Sequence, residues 1–210
     1  MSDEDDLNVD AAYALETPED NKKLYAAWAT TYDEDFAEAN DFLFPRHVAD
    51  VFQRRGGKGP VLDVGAGTGL VAQALMQRRD VVIDGFDLSE EMLAVARDKA
   101  LYRRLTQGDL KQRLPYASGS YTAVVSSGTF TYGHVGPEAL DELMRVAATG
   151  ALFVLSVKAD IYESHGFRAK FNSLQDKTEA FETEELPVYG AATDAAHAGD
   201  TGLVVSFIRV

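Results

Sequence analysis

The chain contains no cysteine in its 210 residues. This absence excludes disulfides, thiolate zinc sites and a cysteine nucleophile. The sequence also lacks any apolar run approaching the roughly 18 residues of a membrane-spanning helix. Its N-terminus is acidic and has no basic start followed by an apolar stretch, as a secretory signal would. We therefore expect a cytoplasmic protein that has no membrane partner.

Basic residues are also few. The chain has 20 Lys and Arg against 34 Asp and Glu, which gives a formal net charge of −14. Because phosphates dominate nucleic-acid affinity, nucleic-acid-binding proteins usually present basic faces, so we expect no nucleic-acid partner. The four histidines, His47, His134, His165 and His197, are scattered without ligand spacing, and we expect no metal site.

One short stretch organises the rest of the chain, residues 61–70, which read VLDVGAGTGL. Val61–Val64 has the pattern of a buried strand carrying one acid, and residues 70–78 have the pattern of a helix. Between them, three alternating glycines form a turn: Gly65, Gly67 and Gly69. Glycine allows positive φ and a close approach of ligand to main-chain N–H groups, and a helix N-terminus adds free donors. The stretch predicts a site for a polar or anionic ligand.

Glycine spacing and the preceding acid discriminate between two cofactors. A dinucleotide fingerprint, G-x-G-x-x-G, would need its third glycine at position 70, where this chain has Leu70. In an NAD site, Asp63 would face the like charge of the pyrophosphate. The ammonium of the methionine end of S-adenosylmethionine suits Asp63 better. An NAD(P)-dependent oxidoreductase remains the alternative.

Strand and helix patterns alternate after residue 59, which favours a parallel sheet covered on both faces. Ser89 is expected to cap a helix with Glu90 and Glu91 in its first turn. We expect further strands over residues 81–86, 102–106, 121–126 and 151–157, and further helices over 137–146 and 161–174. Two late strands, 184–189 and 203–210, have no helix between them and should pair antiparallel.

The N-terminal part has a different character. Residues 1–16 are predicted to be an acidic mobile tail, residues 17–58 a helical lid, and residues 59–210 the core of a single domain. A helix beginning at Thr17 and another running from Pro45 to Gly56 account for the lid. Tyr25, Trp28 and Tyr32 form an aromatic stripe at helical spacing, which suits either core packing or a cover over a ligand.

Two further acids follow expected strands. Asp87 lies 22 residues after Gly65, at the carboxyl end of the second strand, where open α/β sheets bind ligands. A carboxylate there can accept both ribose hydroxyls of a nucleoside. Asp109 follows the third strand and could accept the adenine amino group while the Leu110 N–H reaches a ring nitrogen. A plain turn acid is the alternative for Asp109.

These motifs together resemble the class I S-adenosylmethionine-dependent methyltransferases. The resemblance covers residues 59–157 and rests on Asp63 with the three glycines, on Gly85–Ser89 and on Gly108–Leu110. Residues 25–33 (YAAWATTYD) and 127–137 (SGTFTYGHVGP) resemble the Williams–Beuren syndrome critical-region methyltransferase-like proteins. Thr122 and residues 147–151 depart from the usual pattern. The fold implied is a Rossmann-like α/β domain: a mostly parallel seven-stranded sheet with an antiparallel end strand and helices on both faces.

The resemblance implies that S-adenosylmethionine is the cofactor and that a small-molecule acceptor receives its methyl group, chiefly through positioning. A non-catalytic cofactor-binding sensor is a further alternative, and a monomer or homodimer is expected. The cofactor-binding candidates are Asp63, Gly65, Ala66, Gly67, Gly69, Asp87, Leu88, Asp109, Leu110 and Ser126, with Tyr25, Trp28 and Tyr32 from the lid. His134 is the candidate general base and Tyr132 the next candidate, whereas a structural imidazole is the other interpretation of His134.

Overall fold

The computed structural model describes residues 18–78, 80–131, 135–191, 193 and 196–210. The predicted tail, residues 1–16, lies outside the described residues, as does Thr17. The helices are α1 (Pro18–Trp28), a π-helical segment (Tyr32–Glu38), α2 (Phe44–Arg54), α3 (Leu70–Met76), α4 (Glu90–Asp98), α5 (Ala139–Val146), α6 (Ala159–Ser164), α7 (Phe167–Ser173) and a 3-10 turn (Gln175–Lys177). The strands are β1 (Val61–Val64), β2 (Ile83–Asp87), β3 (Arg104–Gln107), β4 (Tyr121–Phe130), β5 (Ala147–Lys158), β6 (Thr178–Pro187) and β7 (Thr201–Arg209).

The seven strands form one sheet in the order β3-β2-β1-β4-β5-β7-β6. Strands β1 to β5 are parallel, and β7 runs antiparallel to both of its neighbours, β5 and β6. The expected mostly parallel sheet and the antiparallel pairing of the two late strands are therefore confirmed. In space, β7 is inserted next to β5, and β6 forms the edge of the sheet.

Apolar side chains cover both faces of this sheet. Leu62 and Val64 of β1 belong to a buried cluster that includes residues of α5, α6 and α7, whereas Val61 belongs to a second cluster with residues of α2 and α3. Successive residues of a strand point to opposite faces, so a strand buried on both sides reads as a continuous apolar run. The sequence of β1 has this pattern around its single acid.

Two helix ends follow the expected local rules. Ser89 caps α4, since its hydroxyl oxygen accepts a hydrogen bond from the Met92 backbone N–H at 3.2 Å. At the end of α2, Gly56 has φ of 72°, which ends the helix where the two glycines predicted a stop.

The expected helix over residues 161–174 is wrong as a single element. The structure has two helices there, α6 and α7, separated at Gly166, whose φ is 81°. This left-handed conformation is accessible to glycine without steric cost and redirects the chain between the two helices.

The bounds expected for the strand at 184–189 are also wrong. Strand β6 spans Thr178–Pro187 and reads TEAFETEELP, with most of its residues exposed. An edge strand carries charged side chains that discourage pairing with other molecules, so it lacks an apolar run to reveal it. Its pairing with β7 is interrupted by a register shift between Glu179 and Glu182, where Ala180 has φ of 51°.

The N-terminal segment packs across the carboxyl ends of the strands through its own aromatic cluster. Trp28, Phe36 and Phe44 are buried there against Val188 and Tyr189, which follow β6. Phe42 pairs with Tyr189 through an isolated antiparallel bridge. This bridge therefore joins the N-terminal segment to the chain that follows β6, the edge strand of the sheet.

Among the described residues, none of the helices is long and apolar enough to cross a membrane.

Candidate active site

A cleft with an empty volume of about 1000 Å³ lies at the carboxyl ends of the parallel strands. Open α/β sheets bind their ligands at this edge, where β1 and β4 diverge. Of the predicted cofactor-binding residues, those that line the cleft are Tyr25, Tyr32, Gly65, Ala66, Gly67, Asp87, Leu88, Asp109 and Leu110. The structure therefore brings together residues from the lid, the glycine turn and the ends of three strands.

The glycine turn requires left-handed backbone at all three of its glycines, with φ of 67° at Gly65, 53° at Gly67 and 95° at Gly69. A Cβ at Gly65 would lie 1.8 Å from the Thr129 hydroxyl oxygen, so Gly65 is required by packing. A Cβ at Gly67 would meet no protein atom within 4 Å. Because Gly67 lines the cleft, that open space is where a ligand could lie against the backbone.

The backbone N–H groups of the turn are mostly engaged within the protein. Gly65 and Ala66 both donate to the carbonyl of Phe86, at 2.8 and 3.1 Å, and Gly69 donates to Ala66. The Gly67 N–H donates to the Asp87 carboxylate at 2.8 Å. The expectation that the turn presents free donors is therefore not met at these four residues. The turn therefore allows a ligand to approach the backbone closely, although these N–H groups are already hydrogen-bonded within the protein.

Asp87 occupies the expected position at the end of β2. Its carboxylate accepts hydrogen bonds from the N–H groups of Gly67 and Ser89, at 2.8 and 2.9 Å. Burial raises the pKa of Asp87, and these backbone donors oppose that rise. A carboxylate held by two N–H groups at the rim of the cleft has a fixed orientation, which a pair of ribose hydroxyls would need.

Asp63 lies behind the glycine turn. Its side chain is fully buried and is not among the residues that line the cleft. One carboxylate oxygen accepts a hydrogen bond from the Tyr102 hydroxyl at 2.7 Å, and the other has no partner among the described residues. Burial raises the pKa of Asp63 to about 7, the Tyr102 bond lowers it and the charge of Asp87 raises it further. Direct contact between Asp63 and an ammonium stays a prediction.

The two serines at the end of β4 differ in what they offer. The Ser126 hydroxyl is buried and donates to the Val64 carbonyl at 2.8 Å, so it is engaged with β1. Ser127 lines the cleft, and its buried hydroxyl has no hydrogen-bond partner among the described residues. An unpaired buried hydroxyl is costly, so Ser127 is the better candidate for a polar contact with a ligand.

Asp109 and Leu110 both line the cleft after β3. One Asp109 carboxylate oxygen accepts a hydrogen bond from the Lys111 N–H at 2.8 Å, as in an Asx turn. Asp109 thus shapes its own loop and at the same time places a carboxylate at the cleft. Its contact with an adenine amino group remains a prediction.

The aromatic stripe of the lid divides into two roles. Tyr25 and Tyr32 line the cleft, whereas Trp28 is fully buried behind them. The Trp28 ring contacts Tyr32 and Phe36 edge-on, with centroids 5.4 and 5.1 Å apart. Trp28 therefore packs inside this segment, and a covering role for the two tyrosines stays a prediction.

Asp33 was not among the predicted site residues, although it ends the segment YAAWATTYD. It lies in the π-helical segment and accepts a hydrogen bond from the Thr68 hydroxyl, within the glycine turn, at 2.5 Å. Its other carboxylate oxygen pairs with the Lys99 ammonium, beyond the end of α4. These contacts fasten the lid to the turn and to α4 at the same point.

The two predicted catalytic residues, Tyr132 and His134, lie outside the described residues. Their roles remain predictions. The described residues contain no group of three His, Asp or Glu side chains that could hold a metal ion.

The chemistry of the cleft fits a nucleoside with a polar, cationic tail. Asp87 supplies a carboxylate for the sugar, Gly67 leaves room for close backbone contact, and the orphaned Ser127 hydroxyl supplies a polar group on the opposite wall. The fixed carboxylates Asp87 and Asp109 both favour a ligand that carries no negative charge at their positions.

Comparison with known proteins agrees with this site. Residues 61–150 match a family model described as a methyltransferase domain. Over these residues the chain is similar to methyltransferase domains, in agreement with the S-adenosylmethionine cofactor that the sequence predicts. Among curated relatives, human methyltransferase-like protein 27 is 32% identical over 157 residues, which are 72% of this chain and 63% of that protein. This match supports the resemblance to the methyltransferase-like proteins.

Solved structures show the same fold. The methyltransferase in a complex with the Trm112 methyltransferase activator of Haloferax volcanii has a TM-score of 0.67, with 19% identity over 89% of this chain and 96% of that chain. An S-adenosyl-L-methionine-dependent methyltransferase of Methanococcus maripaludis has a TM-score of 0.63, with 18% identity over 90% of this chain and 93% of that chain. At this identity, the likeness concerns the fold alone.

The relatives differ in the acceptor that their names give. A malonyl-[acyl-carrier protein] O-methyltransferase of Geobacter sulfurreducens is 30% identical over 148 residues, 67% of this chain and 55% of that protein. An 18S rRNA (guanine(1575)-N(7))-methyltransferase of Saccharomyces cerevisiae is 36% identical over 66 residues, 31% of this chain and 24% of that protein. This chain spans less than two thirds of each of these curated relatives.

The fastening of the lid by Asp33 predicts a local change in mobility. In Asp33→Ala, the Thr68 hydroxyl and the Lys99 ammonium lose their partner, and a bond to a charged group contributes about 1.5–3 kcal/mol. We expect amide exchange over residues 23–38 to accelerate about ten- to hundredfold, measured by hydrogen-deuterium exchange with mass spectrometry. Asp35→Ala removes an exposed charge from the same segment and should leave exchange unchanged. Equal rates in the two variants would contradict this role.

The raised pKa of Asp63 predicts a loss of stability with rising pH. Asp63 holds its proton up to about pH 7 in the folded state. In the unfolded chain, an aspartate loses its proton near pH 4. Between these values the folded state binds more protons, so raising the pH lowers the free energy of unfolding by up to about 1.4 kcal/mol per pH unit.

Urea unfolding of the wild type and of Asp63→Asn between pH 5 and 8 measures this contribution. Asparagine keeps an oxygen for the Tyr102 hydroxyl but does not titrate. Relative to the wild type, the variant should gain stability from pH 5 to 7, and the difference should level off above the folded-state pKa. Parallel pH profiles for the two proteins would show that Asp63 does not carry a raised pKa.

Proposed function

We propose that this protein transfers a methyl group from S-adenosylmethionine to a small-molecule acceptor. The observation that carries the proposal is a second cavity, of about 510 Å³, beside the cofactor cleft. We call it the aromatic cavity; its walls include Tyr25, Tyr32, Phe42, Phe44, Phe130 and Tyr189. Tyr25, Tyr32, Phe42 and Gly128 line both spaces, so the two meet beneath the lid.

The shape and charge of this region support a small acceptor. Apolar walls with few polar groups are typical of sites that hold small molecules. The net charge of −14 disfavours a polyanionic substrate. Relatives that are named for RNA bases show that the fold itself does not impose this choice.

In this proposal the protein contributes orientation and exclusion of water. When bound, S-adenosylmethionine supplies an electrophilic methyl group. Asp87 orients the nucleoside, Ser127 contacts its polar tail, and Tyr25 and Tyr32 exclude water where the two cavities meet. We assign the general base to His134, with Tyr132 as the second candidate, because both follow β4 directly in the sequence.

A thermal-shift panel of S-adenosylmethionine, S-adenosylhomocysteine, NAD and NADP tests cofactor choice. A ligand at a hundred times its dissociation constant adds about 2.7 kcal/mol to the free energy of unfolding. We expect S-adenosylmethionine and S-adenosylhomocysteine to stabilise the protein in this way, and NAD and NADP to leave its stability unchanged. Stabilisation by NAD alone would indicate an oxidoreductase. Turnover is then measured as release of S-adenosylhomocysteine against a metabolite extract; binding without release from any fraction would indicate a sensor.

Asp87→Ala tests the assignment of the ribose contact. Loss of hydrogen bonds to a charged group should weaken S-adenosylhomocysteine affinity about ten- to hundredfold, measured by isothermal titration calorimetry. Gly67 and Ser89 donate to different carboxylate oxygens, so Asp87→Asn keeps an acceptor for only one of the two N–H groups. A melting temperature of Asp87→Ala equal to that of the wild type separates loss of ligand contact from loss of local structure. Asp98→Ala removes an exposed charge outside the cleft and should bind as the wild type. Unchanged affinity in Asp87→Ala would place the ribose elsewhere.

A further inference from the structure

We infer that the aromatic cavity binds an acceptor whose flat apolar body ends in an anionic group, anchored by Lys158. This inference rests on the proposed function and specifies its substrate class. Lys158 is the last residue of β5, and its side chain, only 8% exposed, lines the aromatic cavity. A buried ammonium is costly to desolvate, so its position in the wall of a cavity requires compensation.

Two counter-charges of Lys158 belong to residues that do not line the cavity. Its ammonium is 3.4 Å from an oxygen of Asp200 and 3.9 Å from an oxygen of Asp160. Neither aspartate lines the aromatic cavity. His197 approaches the same Asp200 oxygen at 3.3 Å. A ligand inside the cavity therefore meets Lys158 and neither of these carboxylates in the cavity wall.

The remaining polar groups in the walls are hydroxyls that can donate. Burial raises the pKa of Tyr25 and Tyr32, so both phenols keep their protons. Ser156, Thr131 and Tyr189 add further hydroxyls to the walls. Among the described residues, no carboxylate lines this cavity. One ammonium and several hydroxyl donors, set among aromatic rings, favour an electron-rich or anionic ligand over an amine.

The position of Lys158 also fixes the orientation of the acceptor. Lys158 lines the aromatic cavity but not the cofactor cleft, whereas Tyr25, Tyr32 and Gly128 line both. The anionic end therefore lies away from the cofactor, and the atom to be methylated lies at the junction under the two tyrosines. The anion acts as an anchor and is not the methyl acceptor.

Three probes of matched shape test the charge preference: 3-(4-hydroxyphenyl)propionate, its carboxamide, and tyramine. Their dissociation constants are measured by ligand-observed NMR on protein saturated with S-adenosylhomocysteine. We expect the propionate to bind about ten- to hundredfold more tightly than the carboxamide, since the carboxamide can still accept a hydrogen bond from the ammonium but lacks the opposite charge, and tyramine to bind most weakly. Equal affinities, a preference for tyramine, or no binding of any probe would overturn the inference.

Lys158→Met keeps the length and apolar stem of the side chain and removes the charge. In this variant the propionate should lose its advantage over the carboxamide, while S-adenosylhomocysteine binding stays at the wild-type level. Lys177→Met removes the same charge from an exposed position and should preserve the preference. A preference that persists in Lys158→Met would contradict the role of Lys158.

The probe comparison on the wild type needs no variant, so it stands even if Lys158→Met is unstable. Failure of S-adenosylhomocysteine to bind the wild type would count against the proposed function itself. Normal cofactor binding without a charge preference would count against the anchoring role alone.

Discussion

The structure depends on how the chain leaves β1. Pairing between β1 and β4 ends at Asp63 and Val125, and beyond this point the Val64 carbonyl accepts hydrogen bonds from the hydroxyls of Ser126 and Thr129. On the other side, the N–H groups of Gly65 and Ala66 both donate to Phe86 of β2. The turn is therefore clamped between its two neighbouring strands. Thr129 packs so tightly against Gly65 that no side chain fits there, whereas a Cβ at Gly67 would meet no protein atom within 4 Å.

The parts of the site that follow local sequence rules were predictable. β1, the start of α3 and the Ser89 cap follow local rules of period, glycine conformation and capping, and the sequence predicted them closely. The carboxyl ends of parallel strands share one edge, so Asp87 and Asp109 could be placed beside the glycine turn before the structure was known. The Asx-type bond of Asp109 to Lys111 followed from the same local chemistry.

What could not be predicted depends on contacts between distant residues. The partner of Asp63 is Tyr102, 39 residues away, and Asp33 reaches Thr68 and Lys99 across the lid. Nothing in the sequence near Lys158 marks it as part of a cavity, because its aromatic surroundings come from the lid, β4 and the segment after β6. Strand β6 was misplaced for a related reason: its exposed edge position removes the apolar pattern on which strand prediction relies.

The two cavities differ in the charges that line them. In a chain of net charge −14, the cofactor cleft is lined by the carboxylates of Asp87 and Asp109 and by Lys111. The adjoining aromatic cavity is lined by the Lys158 ammonium and by hydroxyl donors, and by no carboxylate of the described residues. A cationic cofactor and an anionic acceptor would each meet the charge that complements them. The same arrangement would discourage the acceptor from entering the cofactor cleft, since its anion would face the carboxylates there. In the proposed function, this difference in charge between the two sides of Tyr25 and Tyr32 would direct the two ligands to separate cavities that meet at one point.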